Sequence, residues 1–432
     1  MSKTFSLKNN NTENSSNLPW QLLQIGVFLL PILPTWGAIL IVISSGVVAR
    51  GKYNQIIANR LNWALALLSM WLIITCCFAH QPGEAFLGLP NLLPHFGMFA
   101  CLSAVITTRK QLHRLAWLIV IPSALVILLG LGQMGLGLTT PESWQGLLGW
   151  VLVAYGYPEG RISSVFIYTN ILAIYLLIVL VFAWGLWIES YQTWCKHRSL
   201  REIIQLVFLN LVIAGGALSL LLTSSRNAWG IAILAFLAFA FYLGWRWLVW
   251  LVSTAVAAIV WASFGVNPGR DWLRKIVPVY FWGRLSDQFY PVRDVGTLRS
   301  TQWQFTLKMT QDRPWLGWGL RNFTPIYEQQ MNEWLGHPHN LYLMLMAETG
   351  IPATVMLLGI VGWICFQAVL LLSQWLQRFG NQSDRITFFA FIVAFASVVL
   401  FNLLDVSLYD FRVNTLTWIL LAAIWGICNS DS

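Results

Sequence analysis

Charge is the scarcest resource in this chain of 432 residues. Asp, Glu, Lys and Arg make up 10% of it, against roughly 25% in a soluble domain, while 57% is hydrophobic and the mean hydropathy is +0.64. So little polar surface excludes a soluble fold and predicts an all-α, polytopic integral membrane bundle. The net charge of +9 would suggest nucleic acid as a partner of a soluble protein; here the basic residues lie between apolar runs, and no nucleic-acid partner is expected. Cysteine is sparse too. Its six copies (76, 77, 101, 195, 365 and 428) lie in or beside apolar runs, and none falls in the long polar interval near residue 300. That excludes a disulfide framework on an oxidising face, and no Cys/His spacing resembles a zinc site. A P-loop, an Asp-x-Asp pair and a Gly-x-Ser-x-Gly elbow are all missing, which argues against an ATP-driven pump or a nucleotide-sugar transferase. Residues 1–17 lack the apolar centre of a cleaved leader and read as a disordered cytoplasmic tail.

What the chain has instead is apolar runs long enough for a bilayer, which takes about 20 residues per helix. Residues 18–48 are too long for one span and carry Pro31 and Pro34, so they predict two short helices around a tight turn. Further spans are expected at about 61–79, 90–107, 112–134, 163–187, 203–222, 227–243, 246–264, 350–372, 386–406 and 411–428, about twelve in all. Lys and Arg favour cytoplasmic loops, and alternate connections obey that rule. One side collects Lys3, Lys8, Arg50, Lys52, Arg60, Arg109, Lys110, Arg114, Lys196, Arg198, Arg201, Arg246, Arg378 and Arg385; the short connections of the other hold only Arg161, Arg226 and Arg412. Both termini are therefore expected in the cytoplasm. Spans one to nine would occupy 18–264, a large periplasmic loop 265–349, and the last three spans 350–428.

The large loop predicts short helices of its own. Residues 297–311 form one candidate, ended by Pro314, with Arg299 and Trp303 on one face at i, i+4. A second is expected with Thr324 as N-cap and Pro325 at the first helical position. Its stripe of Phe323, Tyr327, Met331 and Trp334 predicts packing of the loop onto the bundle rather than ligand binding.

Several polar residues in this setting are candidates for chemistry. Arg226 opens a span with no acidic residue near it in sequence. Such a charge is either a snorkelling anchor or faces a cavity, and its place on the outer side favours the cavity. Arg299 competes with Arg284 and Arg293 for an anion-binding role, and Arg321 follows a Gly-x-Gly turn. His337 and His339 suit metal ligation or, singly, general-base work near neutral pH, but no nearby carboxylate or Cys completes a metal site. Glu348 is either an acid supporting a site or a polar helix end. Asp405, Asp410 and Arg412 are expected to close the bundle as ion pairs.

In order along the chain, Ser225-Arg226-Asn227-Ala228-Trp229, Arg299 four residues before Trp303, Pro314-Trp315-Leu316-Gly317-Trp318-Gly319, His339-Asn340 and Glu348-Thr349-Gly350 resemble the O-antigen ligase superfamily of membrane glycan ligases and polymerases. The resemblance spans roughly residues 20–428. The stretch Leu404–Asn414 is similar to a branch from photosynthetic bacteria, members of which are also labelled inorganic-carbon transporters. The resemblance implies an inverting, metal-independent glycosyltransferase of the bacterial inner membrane that uses no cofactor. Its donor would be a glycan on a polyprenyl diphosphate, and its acceptor a hydroxyl of a glycan, lipid or protein. Catalytic roles would fall to Arg226, Arg299 and His339, with Arg321, Arg284, Trp303, Asn340 and Glu348 as further substrate-binding positions. The second reading is a transporter of bicarbonate or another anion, using the basic loop as an electrostatic funnel. It would more typically show two related halves with interrupted spans, whereas this chain spends nearly ninety residues on one loop.

Overall fold

Residues 169–188 contain no charged side chain, and they form most of the helix around which the others assemble. That helix, Thr169–His197, is buried almost throughout and packs against Leu200–Leu222, Gln382–Phe401, Arg109–Leu136 and Arg226–Tyr242. In lipid the helices gain little from hydrophobic transfer, so close side-chain packing holds such contacts. Phe182 meets Phe391 edge-to-face at 4.7 Å and Trp184 meets Phe236 at 5.4 Å, distances at which aromatic quadrupoles attract. The structure, a computed structural model, describes residues 10–288, 294–377 and 382–430. Lys3, Lys8, Arg293 and Arg378 lie outside the described residues, as does most of the segment read as a tail; helix is present from Asn10.

Among the described residues all regular structure is helical, apart from an isolated bridge between Gly156 and Arg161. Ten helices among the described residues are long and apolar enough to cross a membrane, and two shorter apolar helices, Leu18–Leu29 and Arg226–Tyr242, lie at the other two expected positions. Pro31 and Pro34 separate the first pair as anticipated, because Pro34 starts the next helix at its first turn. Trp150, buried, closes over this turn by donating its indole N–H to the Ile32 carbonyl at 2.6 Å.

Contacts between connections sort the bundle into two ends. At one, Lys52 Nζ donates to the Ala104 carbonyl at 2.6 Å, Arg109 pairs with Asp384 at 3.6 Å, His113 approaches Glu189 at 3.3 Å, and Ser430 donates to the Thr107 carbonyl at 3.0 Å. At the other, the His80 N–H donates to Trp318, Asn227 to Phe401, Leu341 to Asn402 and Asn414 to Asn91, all at 2.7–2.9 Å. The connections that carry Lys52, Arg109 and Arg385 thus meet at one end, those that carry Arg226 and Arg412 at the other, and the polar interval lies at the second end.

Within that interval the helices are Gly269–Ile276, Val279–Leu285, Arg299–Asp312 and Phe323–Met331. The last begins one residue before Thr324, so the cap position falls to Asn322. Phe323, Tyr327 and Met331 pack with Phe305 and Met309 as the stripe predicted. Trp334 does not join them: the helix ends at Met331, and the Trp334 ring is 70% exposed.

The Pro314–Gly319 turn docks on the kink at the foot of the next span. Trp318 and Gly319 donate their N–H groups to the carbonyls of Ala347 and Glu348 at 2.9 and 2.8 Å, and Ile351 returns one to Pro314 at 2.8 Å. Gly350 breaks the long helix with φ 81° and ψ 163°, a conformation open mainly to glycine. A Cβ there would lie 2.2 Å from the Trp315 carbonyl oxygen, and one on Gly317 (φ 69°) 2.5 Å from the Glu348 carbonyl. Gly317→Ala and Gly350→Ala are therefore expected to destabilise the protein by about 2–5 kcal/mol each, combining backbone strain with overpacking. Thermal unfolding of the detergent-purified variants checks this; a midpoint within a degree of the parent protein would refute the docking.

Candidate active site

Three connections converge at the polar-interval end: 155–170, 336–340 and 402–410. The 336–340 segment is fixed from both sides. Trp303 donates its indole N–H to the Pro338 carbonyl at 3.0 Å, and the Asn340 side-chain oxygen accepts from the N–H groups of Tyr342 and Leu343, capping the following helix. The i, i+4 spacing of Arg299 and Trp303 thus has a concrete use. Trp303 pins the histidine segment while Arg299, one turn earlier, lies close enough for its charge to disfavour protonation of His337.

His339, at φ 50°, donates its backbone N–H to His337 Nδ1 at 3.2 Å. Its own Nδ1 lies 3.2 Å from Asp405 Oδ1, and His337 Nε2 lies 3.9 Å from the same oxygen. Asp405 is buried, its side chain only 4% exposed. Burial alone would raise its proton affinity, but the hydrogen bond from His339, the electrostatic interaction with the two histidines and the Val406 N–H outweigh that and hold it below the usual carboxylate range. An ionised Asp405 accepts only, so His339 Nδ1 must carry a hydrogen, and in the neutral ring Nε2 then keeps its lone pair. His337, with Nδ1 accepting, is the opposite tautomer. Burial foremost, against the opposing pull of Asp405, brings its pKa down to about 4.

Asp405 is the residue whose role in the sequence reading changes most. Expected as a closing ion pair, it meets two histidines instead, and the carboxylate that no neighbouring sequence supplied to them arrives from 66 residues further on. Asp410 and Arg412 do pair at 3.0 Å; Arg412 also donates to the Val165 carbonyl at 2.7 Å and stacks over Phe166. Behind Asp405 runs a polar chain that sequence inspection missed. Asn170 Nδ2 donates to Asp405 Oδ2 at 2.6 Å, Arg161 Nη2 donates to Asn170 Oδ1 at 3.1 Å, and Arg161 Nε donates to the Thr223 carbonyl at 2.8 Å. A lone Asn opening an apolar run was the available signal: a polar group at a bundle end needs partners.

His337 and His339 open onto a polar cavity of about 1020 Å³, whose wall also includes Tyr157, Tyr168, Arg321 and Trp334. Arg321 pairs with Glu84 at 3.3 Å across it. Arg226 faces elsewhere. It heads a groove of about 810 Å³ with apolar walls from Gly230, Ile231, Leu234, Val256, Leu403 and Leu404, and its guanidinium pairs with Asp287 at 2.8 Å and donates to the Arg284 carbonyl at 2.9 Å. The two recesses back onto one turn, since Leu403 and Leu404 immediately precede Asp405. The Thr223 carbonyl that receives Arg161 also belongs to the turn that launches Arg226. Arg284 lies beside Arg226, over the Tyr280 ring at 5.3 Å. Glu348 reaches neither recess: fully buried, it accepts the Phe323 N–H at 3.1 Å beneath the docked turn, which is the helix-end role.

The arrangement can thus take a proton at His339 Nε2, with a buried carboxylate behind it, and present guanidinium groups to an anion nearby. No curated protein matches the chain in sequence. The family model described as O-antigen ligase matches residues 209–358, a segment that carries Arg226, Arg299 and His339.

Proposed function

We propose that the protein transfers a glycan from a polyprenyl diphosphate to an acceptor hydroxyl at the periplasmic face of the bacterial inner membrane, in a single inverting step. The observation that carries this reading is His339 on the wall of a large polar cavity, with the buried Asp405 behind it, within a bundle of membrane-length helices. The acceptor hydroxyl lies in the cavity and loses its proton to His339 Nε2 as its oxygen attacks the anomeric carbon. The bond from that carbon to the diphosphate oxygen breaks, and the diphosphate leaves with the electron pair. Asp405 holds the imidazole in the accepting tautomer and stabilises the imidazolium that forms. Arg226 and Arg299 neutralise the departing diphosphate. The apolar groove below Arg226 suits the polyprenyl tail, as the open polar cavity suits a sugar.

Arginines take the charge-neutralising part that a divalent cation plays elsewhere, so chelator treatment of the purified protein is expected to leave transfer intact. In a deletion strain, lipid-linked glycan accumulates and the surface polymer shortens. Unchanged glycans with impaired inorganic-carbon uptake would establish the transporter instead, and activity lost to chelator and restored by a stoichiometric metal would overturn the metal-independent step.

A further inference from the structure

The histidine pair and Asp405 have a capacity that proton transfer does not use. His337, His339 and Asp405 each offer one ligand atom, and these atoms all lie within 4.8 Å of one another. The Asp405 Oδ1 distances are 3.2 Å to His339 Nδ1 and 3.9 Å to His337 Nε2. In a tetrahedral site with bonds of about 2.0–2.1 Å, ligand atoms stand about 3.3–3.4 Å apart. One edge is therefore already at the required length, and the His337 ring alone must close by on the order of 1 Å. Both histidines line the open cavity, which leaves a fourth position for water. Two imidazoles and one carboxylate suit zinc and its borderline neighbours, whereas magnesium and calcium demand oxygen-rich shells.

We propose that His337, His339 and Asp405 form a zinc-binding site that switches the transfer site off. Its inhibitory half rests on His339 being the base; its binding half does not. The switch follows from the tautomers. A neutral imidazole bound to metal through Nδ1 carries its hydrogen on Nε2. Zinc between His339 Nδ1 and Asp405 thus moves that proton across the ring and turns Nε2 from an acceptor into a donor, which cannot deprotonate a hydroxyl. His337, coordinating through Nε2, likewise shifts its hydrogen to Nδ1 and gives up the backbone N–H of His339. The nearby Arg299 and Arg161 charges oppose a cation, so binding is expected in the micromolar range rather than at the strength of a permanent structural zinc. His337 is the informative residue, because it completes the metal site without standing between His339 and Asp405.

The test is isothermal titration of the full-length protein in detergent with zinc chloride, beside His337→Ala and a magnesium control. Cobalt absorption in the parent protein serves as a second reading that needs no variant. The expected result is one zinc per chain, at least tenfold weaker binding in His337→Ala, tetrahedral cobalt bands and no response to magnesium. Absence of zinc binding at millimolar concentration, or equal binding in parent and variant, overturns the site. Stoichiometric zinc that leaves transfer unimpaired overturns the switch. If no preparation transfers glycan at all, the titration still decides the metal site and only the transferase reading falls.

Discussion

His339→Ala is expected to lower the rate of glycan transfer by about 10²–10⁴, the range for removal of a general base, while the affinity for the lipid-linked donor stays within a factor of two or three. The asymmetry follows from what the imidazole touches. In the proposed mechanism its proton comes from the acceptor hydroxyl, and the diphosphate lies with the arginines. Asp405→Asn should cost nearly as much despite its equal size. An amide nitrogen facing His339 Nδ1 is a donor, so the imidazole must accept there and carry its hydrogen on Nε2, the tautomer that cannot take a proton. Asp405 acts through His339, so the change belongs in kcat and in the pH profile, with KM for both substrates nearly unmoved. His337→Ala should be milder, since the acceptor-side tautomer of His339 does not depend on it. Single-turnover transfer with a polyprenyl diphosphate glycan, alongside donor binding measured separately, decides the matter. Full activity in His339→Ala sinks the mechanism, and donor binding lost in step with activity would move His339 to the donor site.

The parts of this site legible in the sequence were those whose signal is local. Apolar length marked the helices, proline marked the first turn, and the Arg299–Trp303 and His339–Asn340 pairs carried recognisable spacing. Structure adds the reason for each: Trp303 pins the segment that ends at Asn340, Asn340 caps the helix that follows, and Gly317 and Gly350 permit the backbone approach that Cβ atoms would block. The parts not legible were relations between distant segments. Asp405 lies in a turn beside Asp410 and Arg412, where a closing ion pair is the simplest use of its charge. Only folding brings His339 to 3.2 Å and Asn170 to 2.6 Å from it. Burial, too, was invisible: Glu348 sits in a motif with the look of a site residue, yet it is spent beneath the Pro314–Gly319 turn. The catalytic roles assigned to Arg226, Arg299 and His339 do not fall around one space. Arg299 influences the cavity wall and His339 opens on it, but Arg226 heads the neighbouring groove. A donor whose tail and sugar must occupy two environments joined by a diphosphate suits two recesses better than one.

Arg226→Ala is expected to reduce transfer by about 10²–10³, comparable to removing one preorganised donor from a site where negative charge develops. Arg299→Ala should lose a similar factor, because charge builds on the diphosphate only as the glycosyl bond breaks. Lysine at either position should restore part of the loss: the ammonium keeps the charge but not the planar fork that grips two oxygens at once. The competing explanation for Arg226 is that it merely ties down the 284–287 turn through its contacts with Asp287 and the Arg284 carbonyl. Asp287→Asn separates the two. The pair is open to solvent, with side chains 37% and 49% exposed, and pairs of that kind contribute about 0.2–1 kcal/mol, too little to account for a hundredfold effect. Asp287 also holds Nη1 of the guanidinium and so competes with an incoming diphosphate for it. Asp287→Asn should therefore leave the maximal rate intact and lower the donor KM, since a competing anion has been removed. Steady-state kinetics over a range of donor concentrations provide the comparison. A loss in Asp287→Asn matching that in Arg226→Ala would mean that the arginine holds a turn in place, and the diphosphate would then have to be neutralised from the cavity side by Arg299 and Arg321.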